Sequence, residues 1–134
     1  MITRRAEELQ IAEQLDIVRV RRAVREWMVA DAFGLVDQTK MVTAASELAR
    51  NALDFGGGGV VLLEQLLDGP RAGVRLTFTD HGAGIPDLEL ALTDGYTSGH
   101  GLGLGLGGSR RLVNEFAIES SPGKGTVVTV VRWR

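Results

Sequence analysis

The stretch Ser46-Glu47-Leu48-Ala49-Arg50-Asn51 lies inside a segment whose apolar residues recur at helical spacing. This segment, residues 37–54, opens with Asp37 as a candidate N-cap and is predicted to form a helix that ends at a run of glycines. Because residues four apart project from the same face of a helix, Glu47 and Asn51 are expected to look into one space. Polar groups at the edge of an apolar stripe are costly unless something satisfies them. Taken alone, the pair is more simply explained as a partly exposed helix face.

The segments around this helix alternate between hairpin and helix patterns. The patterns predict a strand over 8–15, a helix over 17–32 capped by Asp16, strands over 60–67 and 73–79, a short helix near 87–93, a helix over about 106–115, and strands over 116–120 and 125–132. Segregated hairpins and helices are typical of an α+β fold, so we expect a two-layer sandwich with helices on one face of a mixed, mostly antiparallel sheet. No linker or repeat divides the sequence, and residues 1–134 are expected to form a single domain.

Composition narrows the possible function classes. The 134 residues include 15 Lys and Arg against 17 Asp and Glu, a net charge of −2, with 44% apolar residues and no cysteine. The absence of Cys excludes disulfides, a thiol nucleophile and thiolate-ligated zinc. Balanced charge without basic blocks argues against nucleic acid or a membrane surface as a partner. No apolar run approaches the roughly 20 residues of a membrane span and no export signal is present, so we expect a cytoplasmic protein.

A second motif, Asp80-His81-Gly82-Ala83-Gly84, directly follows the apolar strand predicted over 73–79. Alternate glycines let backbone approach a flat ligand closely, and a carboxylate at a strand end can accept a hydrogen bond from an exocyclic amine. A plain glycine turn leaving a strand explains the same residues equally well.

A third motif is Gly101-Leu102-Gly103-Leu104-Gly105-Leu106, which leads into the last predicted helix. Glycines at every second position expose backbone N–H groups, and a helix N-terminus follows, so the pattern favours phosphate oxygens. The run also contains G-x-G-x-x-G, but a dinucleotide fold requires a preceding strand and an acidic residue about 20 positions later. No Gly-Lys-Ser/Thr follows the run, which excludes a P-loop, and two histidines are too few for a zinc site.

Together, in this order and spacing, the motifs resemble the Bergerat-fold (GHKL) ATPase superfamily of gyrase, histidine kinases and MutL. The matching boxes are Glu47…Asn51, Asp80-x-Gly82-x-Gly84, Gly101-x-Gly103-x-Gly105 and Gly125-Thr126. Within the superfamily, the segments TAASELARN, DHGAGIPD and RRLVNEF are most similar to those of the RsbT-type anti-sigma-factor serine/threonine kinases of bacterial partner-switching systems. We therefore expect neither the phospho-acceptor helix pair of histidine kinases nor the transducer domain of gyrase.

The resemblance implies roles for individual residues. Glu47 would act as general base toward a serine hydroxyl or a water, and Asn51 would coordinate Mg²⁺ through its amide oxygen. Asp80 would accept a hydrogen bond from the adenine amino group of ATP and so select against GTP. The remaining positions are Gly82 and Gly84 beside the adenine, Gly101, Gly103 and Gly105 along the phosphates, and Thr126 near the Asp80 carboxylate.

The resemblance also implies ATP and Mg²⁺ as cofactors and other proteins as partners. The first hypothesis is a kinase of a stress or sigma-factor regulatory system that phosphorylates a STAS-domain antagonist. The second is a nucleotide-gated binding module that sequesters a sigma factor or activates a phosphatase, with little or no phosphoryl transfer. A Rossmann oxidoreductase is retained only as a control hypothesis, and the sequence leaves open whether a homodimer forms.

Overall fold

The computed structural model describes residues 1–93 and 105–134. In chain order, the elements in these ranges are β1 (Ile2–Ile11), α1 (Gln14–Ala30), α2 (Leu35–Asp54), β2 (Gly59–Asp68), β3 (Arg71–Asp80), α3 (Leu88–Ala91), α4 (Gly105–Arg111), β4 (Glu115–Ser120) and β5 (Thr126–Trp133). None of these helices combines the length and the apolar character that crossing a membrane requires.

The strands form one sheet in the order β1-β2-β3-β5-β4, and each neighbouring pair described is antiparallel. Helices α1 and α2 pack together against the sheet. The predicted α+β sandwich is therefore confirmed. Both predicted hairpins are present: β2 and β3 are joined through Gly69, whose φ of 59° suits a tight turn, and β4 and β5 are joined through residues 121–125.

The core fills the space between the helix pair and the sheet. Apolar residues three and four apart on α1 and α2 meet every second residue of the strands, because strand side chains point to opposite faces in turn. Burying each of these side chains stabilises the fold by about 1.5–3 kcal/mol. Large side chains buried in this core include Ile11, Met28, Met41, Leu48, Leu63, Leu76 and Phe78.

The first turn of α1 differs from the prediction that Asp16 is its N-cap. The helix begins at Gln14, so Asp16 lies inside the first turn and is buried. Its Oδ2 accepts hydrogen bonds from the backbone N–H groups of Ala12 (2.8 Å) and Glu13 (3.1 Å). The bond from Ala12, followed by the one from the Arg19 guanidinium, holds the pKa of Asp16 below its ordinary value. The Asp16 carboxylate therefore caps the helix from inside its first turn. The prediction of Asp16 as the residue before the helix is wrong for that reason.

The predicted boundaries of the first strand, 8–15, are wrong. Strand β1 is longer and starts earlier. It runs from Ile2 to Ile11, and residues 2–8 are exposed. It is an edge strand, and its register shifts between Thr3 and Arg5. The exposed part carries charges in place of an apolar alternation, namely Arg4, Arg5, Glu7 and Glu8. Pattern matching misses such a strand because only one end of it contributes to the core.

Helix α2 begins at Leu35 after Gly34, so the prediction of Asp37 as its cap is also wrong. Asp37 lies in the first turn, and its Oδ1 accepts a hydrogen bond of 2.6 Å from Nη2 of Arg132 on β5. Nη1 of the same guanidinium donates to the Leu112 carbonyl oxygen at 2.9 Å. Asp37 is thus used to tie α2 to the sheet and to the end of α4.

The two shorter helices fall near their predicted positions. In α3, Asp87 is the N-cap and its side chain accepts from the Leu90 backbone N–H at 3.0 Å. Helix α4 ends at Arg111, earlier than the predicted end near 115, because β4 begins at Glu115. The chain therefore turns back into the sheet sooner than helical spacing alone indicates.

The face of the sheet turned away from the helices carries a small apolar cluster around Trp133. The indole ring lies over Gly73 of the neighbouring strand, where an added Cβ would come within 2.6 Å of ring atom Cε3. The indole N–H donates to Glu115 at 2.5 Å, and the Arg71 guanidinium lies 5.3 Å from the ring centroid. Leu66, which pairs with Gly73, is only 1% exposed although it lies outside the main core.

Candidate functional site

Three polar side chains meet at one end of the helix-covered face of the sheet. Asp80 ends β3, Thr126 begins β5, and the two are direct register partners. Ser120 ends β4 and pairs with Thr126 from the other side. Because side chains alternate along a strand, the buried Phe78 and Val128 put Asp80 and Thr126 on the face toward the helices. A carboxylate and two hydroxyl groups therefore share this end of the sheet.

The C-terminal end of α2 reaches the same end of the sheet. The backbone N–H groups of Phe55 and Gly56 donate to the Asn51 carbonyl oxygen at 3.0 and 3.3 Å. Gly56 lies against Asp80, since an added Cβ would be 2.5 Å from the Asp80 Cβ. Asn51 is thus about one helical turn before the residue that contacts Asp80. None of the sequence motifs includes Gly56. The one sequence feature that could have indicated its importance is its position directly after an apolar helix.

Glu47 and Asn51 lie on the predicted face of α2, next to the buried Leu48 and Ala52. A rise of 1.5 Å per residue separates them by about 6 Å along the helix axis. Both side chains are half-buried, and within residues 1–93 and 105–134 neither takes part in a hydrogen bond or an ion pair. Half-buried polar groups are costly without a partner. The two side chains are therefore suited to contact a ligand.

The glycine motif after β3 folds back onto Asp80. The Gly82 backbone N–H donates to Oδ1 of Asp80 at 3.0 Å. Gly82 packs on the backbone of Gly56, whose Cα would be 2.6 Å from a Cβ at Gly82. Gly84 has a φ of 80° and packs on the backbone of Ser121, whose carbonyl carbon would be 2.7 Å from an added Cβ. The close approach that these glycines permit is therefore between two stretches of backbone, and their contact with a flat ligand stays a prediction.

Ser120 joins this loop to β5, although none of the sequence motifs includes it. Its hydroxyl accepts from the Ile85 backbone N–H at 2.8 Å and donates to the Gly125 carbonyl oxygen at 3.1 Å. Its Oγ also lies 2.8 Å from Oγ1 of Thr126. A second link, from the Gly123 N–H to the Ala83 carbonyl oxygen (2.7 Å), holds the same loop. The only sequence signal is that a polar residue follows the alternating, partly buried residues of β4.

The third motif is only partly within the described residues. Gly105 begins α4 with a φ of 70°, and its carbonyl oxygen accepts from the buried Ser109 hydroxyl at 3.1 Å. Leu106 is 7% exposed and belongs to the core, so the start of α4 is fixed to the body of the domain. Gly101 and Gly103 lie outside the described residues, and their roles stay predictions.

Metal binding by protein groups alone has no support in the described ranges. No cluster of three or more His, Cys, Asp or Glu side chains that could hold a metal ion occurs within residues 1–93 and 105–134. Asn51 nonetheless offers an amide oxygen that has no hydrogen-bond partner among the described residues. Mg²⁺ prefers oxygen ligands and often binds through one or two protein groups, phosphates and waters. The donor set therefore fits a Mg²⁺ that arrives with a nucleotide.

Comparison with protein families gives a match over most of the chain. The family described as "Histidine kinase-, DNA gyrase B-, and HSP90-like ATPase" matches residues 36–134. The serine/threonine-protein kinase RsbT of Bacillus subtilis (strain 168) is 38% identical over 125 residues, which cover 93% of this chain and 94% of that protein. An anti-sigma F factor of Thermoanaerobacter sp. (strain X514) is 28% identical over 97 residues, 68% of this chain and 66% of that protein.

Solved structures share the fold. The structure of the RsbU and RsbW domains of Rv1364c from Mycobacterium tuberculosis superposes with a TM-score of 0.65 at 24% identity, and covers 97% of this chain but 33% of that one. A histidine kinase domain from Erythrobacter litoralis EL346 superposes with a TM-score of 0.52 at 21% identity, over 92% of this chain and 60% of that one. The chain thus spans about a third of the first of these proteins.

Proposed function

The chain belongs to the histidine kinase-, DNA gyrase B- and HSP90-like ATPase family, and from that membership we propose that it is an ATP- and Mg²⁺-dependent protein serine/threonine kinase. The 38% identity to a serine/threonine-protein kinase over nearly the whole chain supports this activity. The observation that carries the proposal is the pair Glu47 and Asn51, whose half-buried side chains form no hydrogen bond or ion pair within residues 1–93 and 105–134. Asn51 lies about one helical turn before Gly56, which contacts Asp80.

We assign the nucleotide base to the sheet end of the site. The Asp80 carboxylate accepts a hydrogen bond from the adenine amino group, and one oxygen is already fixed by the Gly82 N–H. Guanine presents a carbonyl oxygen at that position, and a buried acceptor facing another acceptor costs about 1–3 kcal/mol. The other contacts proposed are Gly82, Gly84 and Thr126 around the base, and Gly101, Gly103 and Gly105 along the phosphates.

The phosphoryl transfer is assigned to α2. Asn51 would hold Mg²⁺ through its amide oxygen, and the ion would supply positive charge to the phosphates. Glu47 orients the acceptor serine hydroxyl and takes its proton. The serine oxygen then forms a bond to the γ-phosphorus while the bond to the β,γ-bridging oxygen breaks, and ADP leaves with that oxygen.

We propose that the acceptor is a STAS-domain antagonist in a cytoplasmic partner-switching system that controls a stress response or a sigma factor. A phosphatase or a sigma factor is the proposed alternate partner, and the single domain of residues 1–134 can act alone or as a homodimer. Supporting this context, one of the matched relatives is named an anti-sigma F factor and another contains an RsbW domain beside an RsbU domain.

A second candidate function, a nucleotide-gated binding module with little phosphoryl transfer, is favoured by one observation. An open groove of about 370 Å³ is lined by Val18, Arg21, Arg22, Arg25 and Val42 of α1 and α2. In the part of the chain that the structure describes, none of its arginines forms an ion pair. Apolar floor and cationic walls suit an acidic, amphipathic segment of a partner protein.

The experiment compares wild type, Glu47→Gln and Asn51→Ala for ATP binding, with and without Mg²⁺, and for transfer of the γ-phosphate to a purified STAS-domain protein. We expect Glu47→Gln to bind ATP like wild type and to lose transfer by at least about 100-fold. Asn51→Ala should lose the Mg²⁺-dependent part of ATP affinity. Glu26→Gln, exposed on α1, is the matched control and should change neither.

Each outcome of that experiment separates the candidates. Transfer that survives in Glu47→Gln would refute the assigned base. Wild-type protein that binds the STAS domain in the presence of ATP but never transfers phosphate supports the binding module. In that case the double variant Arg21→Glu/Arg25→Glu should abolish partner binding and leave ATP affinity unchanged.

A further inference from the structure

The hydroxyl group of Ser120 has three neighbours at hydrogen-bond distance. They are the Ile85 backbone N–H at 2.8 Å, the Gly125 carbonyl oxygen at 3.1 Å and Oγ1 of Thr126 at 2.8 Å. A serine hydroxyl carries one proton to donate and lone pairs that accept two hydrogen bonds. The three contacts therefore use its full capacity.

The chemistry of the neighbours fixes the direction of each bond. An N–H group can only donate and a carbonyl oxygen can only accept, so Ile85 donates to Ser120 and Ser120 donates its single proton to Gly125. The contact with Thr126 is then a hydrogen bond only if Thr126 donates. Thr126 has no second proton, and what remains on its oxygen is a pair of acceptor positions.

Thr126 lies beside Asp80, its direct register partner on the helix-covered face of the sheet. With its proton held by Ser120, the Thr126 hydroxyl presents only lone pairs to a ligand at this end of the site. The Asp80 carboxylate likewise only accepts. Two neighbouring groups that only accept hydrogen bonds favour an amino group and disfavour a carbonyl oxygen.

We propose that Ser120 is a positioning residue for nucleotide selectivity, because it keeps the Thr126 hydroxyl as an acceptor beside Asp80. This inference rests on the proposed function, in which the base of ATP lies at Asp80. Without Ser120, the Thr126 O–H rotates and donates to whatever the ligand presents. The site then loses part of its ability to distinguish an amino group from a carbonyl oxygen at position 6 of the purine.

The test compares ATP with inosine triphosphate, which carries a carbonyl oxygen where adenine carries the amino group. Dissociation constants for both nucleotides are measured by calorimetry for wild type, Ser120→Ala, Ser120→Thr and Thr126→Val. We expect the ratio of the inosine triphosphate constant to the ATP constant to fall about tenfold in Ser120→Ala, the equivalent of one hydrogen bond. Ser120→Thr keeps the hydroxyl and should keep the ratio.

A purely structural role for Ser120 gives a different result. Loss of the links to Ile85 and Gly125 would weaken binding of both nucleotides by one factor and leave the ratio unchanged, which would overturn the proposal. In the Thr126→Val background, adding Ser120→Ala should not alter the ratio further; a further fall would also overturn it. Should Ser120→Ala fail to fold, Ser120→Cys takes its place, since a thiol is a weak acceptor of similar shape. Wild-type protein that binds neither nucleotide would refute the proposed function itself.

Discussion

Gly56, just beyond the end of α2, contacts the side chain of Asp80 at the end of β3. A Cβ on Gly56 would lie 2.5 Å from the Asp80 Cβ and 2.7 Å from the Ala52 carbonyl oxygen. Both distances are shorter than van der Waals contact allows, so any side chain here displaces the helix end or the carboxylate. The spacing between the helix that carries Asn51 and the strand that carries Asp80 therefore depends on glycine, which has no side chain, at position 56.

We expect Gly56→Ala to weaken ATP binding by at least about tenfold and to destabilise the fold by about 1–3 kcal/mol, because overpacking forces the backbone to shift. Calorimetry with ATP and urea denaturation measure the two effects. Gly34→Ala is the matched control, since nothing lies within 4 Å of a Cβ at that position. Equal ATP affinity in Gly56→Ala and wild type would show that the helix end does not set the site geometry.

Arg132 and Asp37 connect β5 to the first turn of α2. The Arg132 side chain is 14% exposed, bonds Asp37 at 2.6 Å and also donates to the Leu112 carbonyl oxygen. We expect Arg132→Met to cost about 2–4 kcal/mol, because it leaves a carboxylate and a carbonyl group without their donor. A double-mutant cycle with Asp37→Asn, measured by urea denaturation, should give a coupling energy of about 1–2 kcal/mol. Additive effects would mean that the ion pair contributes nothing.

The pair Glu64–Arg75 predicts a pH dependence of stability. Two hydrogen bonds from the Arg75 guanidinium, at 2.8 and 3.0 Å, hold the pKa of Glu64 below its ordinary value of 4.5, and the same bonds raise the pKa of Arg75. A lowered carboxyl pKa means stability that is present above pH 4.5 and lost as the pH falls through the folded-state pKa.

The variant Glu64→Gln should therefore be less stable than wild type by about 1 kcal/mol at neutral pH. The difference in the free energy of unfolding should stay constant down to about pH 5 and shrink below the ordinary carboxyl pKa. Urea denaturation of both proteins between pH 3 and pH 7 measures it. A difference that is as large at pH 3 as at pH 7 would contradict the charge-based explanation.

Trp133 provides a reporter for the outer face of the sheet. A Cβ at Gly73 would lie 2.6 Å from the ring, so Gly73→Ala should lift the indole and expose Leu66 beneath it. In a Trp27→Phe background Trp133 is the remaining tryptophan of two. We expect red-shifted emission, stronger quenching by acrylamide and a loss of about 1–2 kcal/mol in stability. Unchanged emission would mean that the ring does not lie over Gly73 in solution.

Sequence predicts most of this fold because helical spacing and turn residues are local. The apolar stripe of α2 and the Asp68-Gly69-Pro70-Arg71 turn are examples, and both occur where expected. The prediction of Asp16 and Asp37 as caps is wrong because of where their hydrogen-bond donors lie. The donors are the Ala12 backbone N–H, which precedes the helix, and the Arg132 guanidinium on β5, and helical spacing indicates neither.

The same difference between local patterns and long-range contacts applies to the residues of the candidate site. Glu47, Asn51 and Asp80 are found by motif, because their spacing within one helix or at one strand end is visible in the sequence. Gly56 and Ser120 are not, since their importance depends on contacts between β3, the loop after it and the β4–β5 hairpin. Such contacts depend on strand order, which no local pattern encodes.

The charged first half of β1 and its shifted register have a consequence for how the protein behaves at high concentration. An open strand with unpaired backbone groups is a template onto which a second chain can add, and lysines, arginines, glutamates and irregular register discourage that addition. Replacing Arg4, Glu7 and Glu8 with threonine or valine would remove most of this protection, while Arg5, whose guanidinium lies 4.3 Å from the centroid of the buried Trp27 ring, is kept. Such a variant would fold and then polymerise edge to edge, so the solubility of this domain depends on residues that contribute little to its stability.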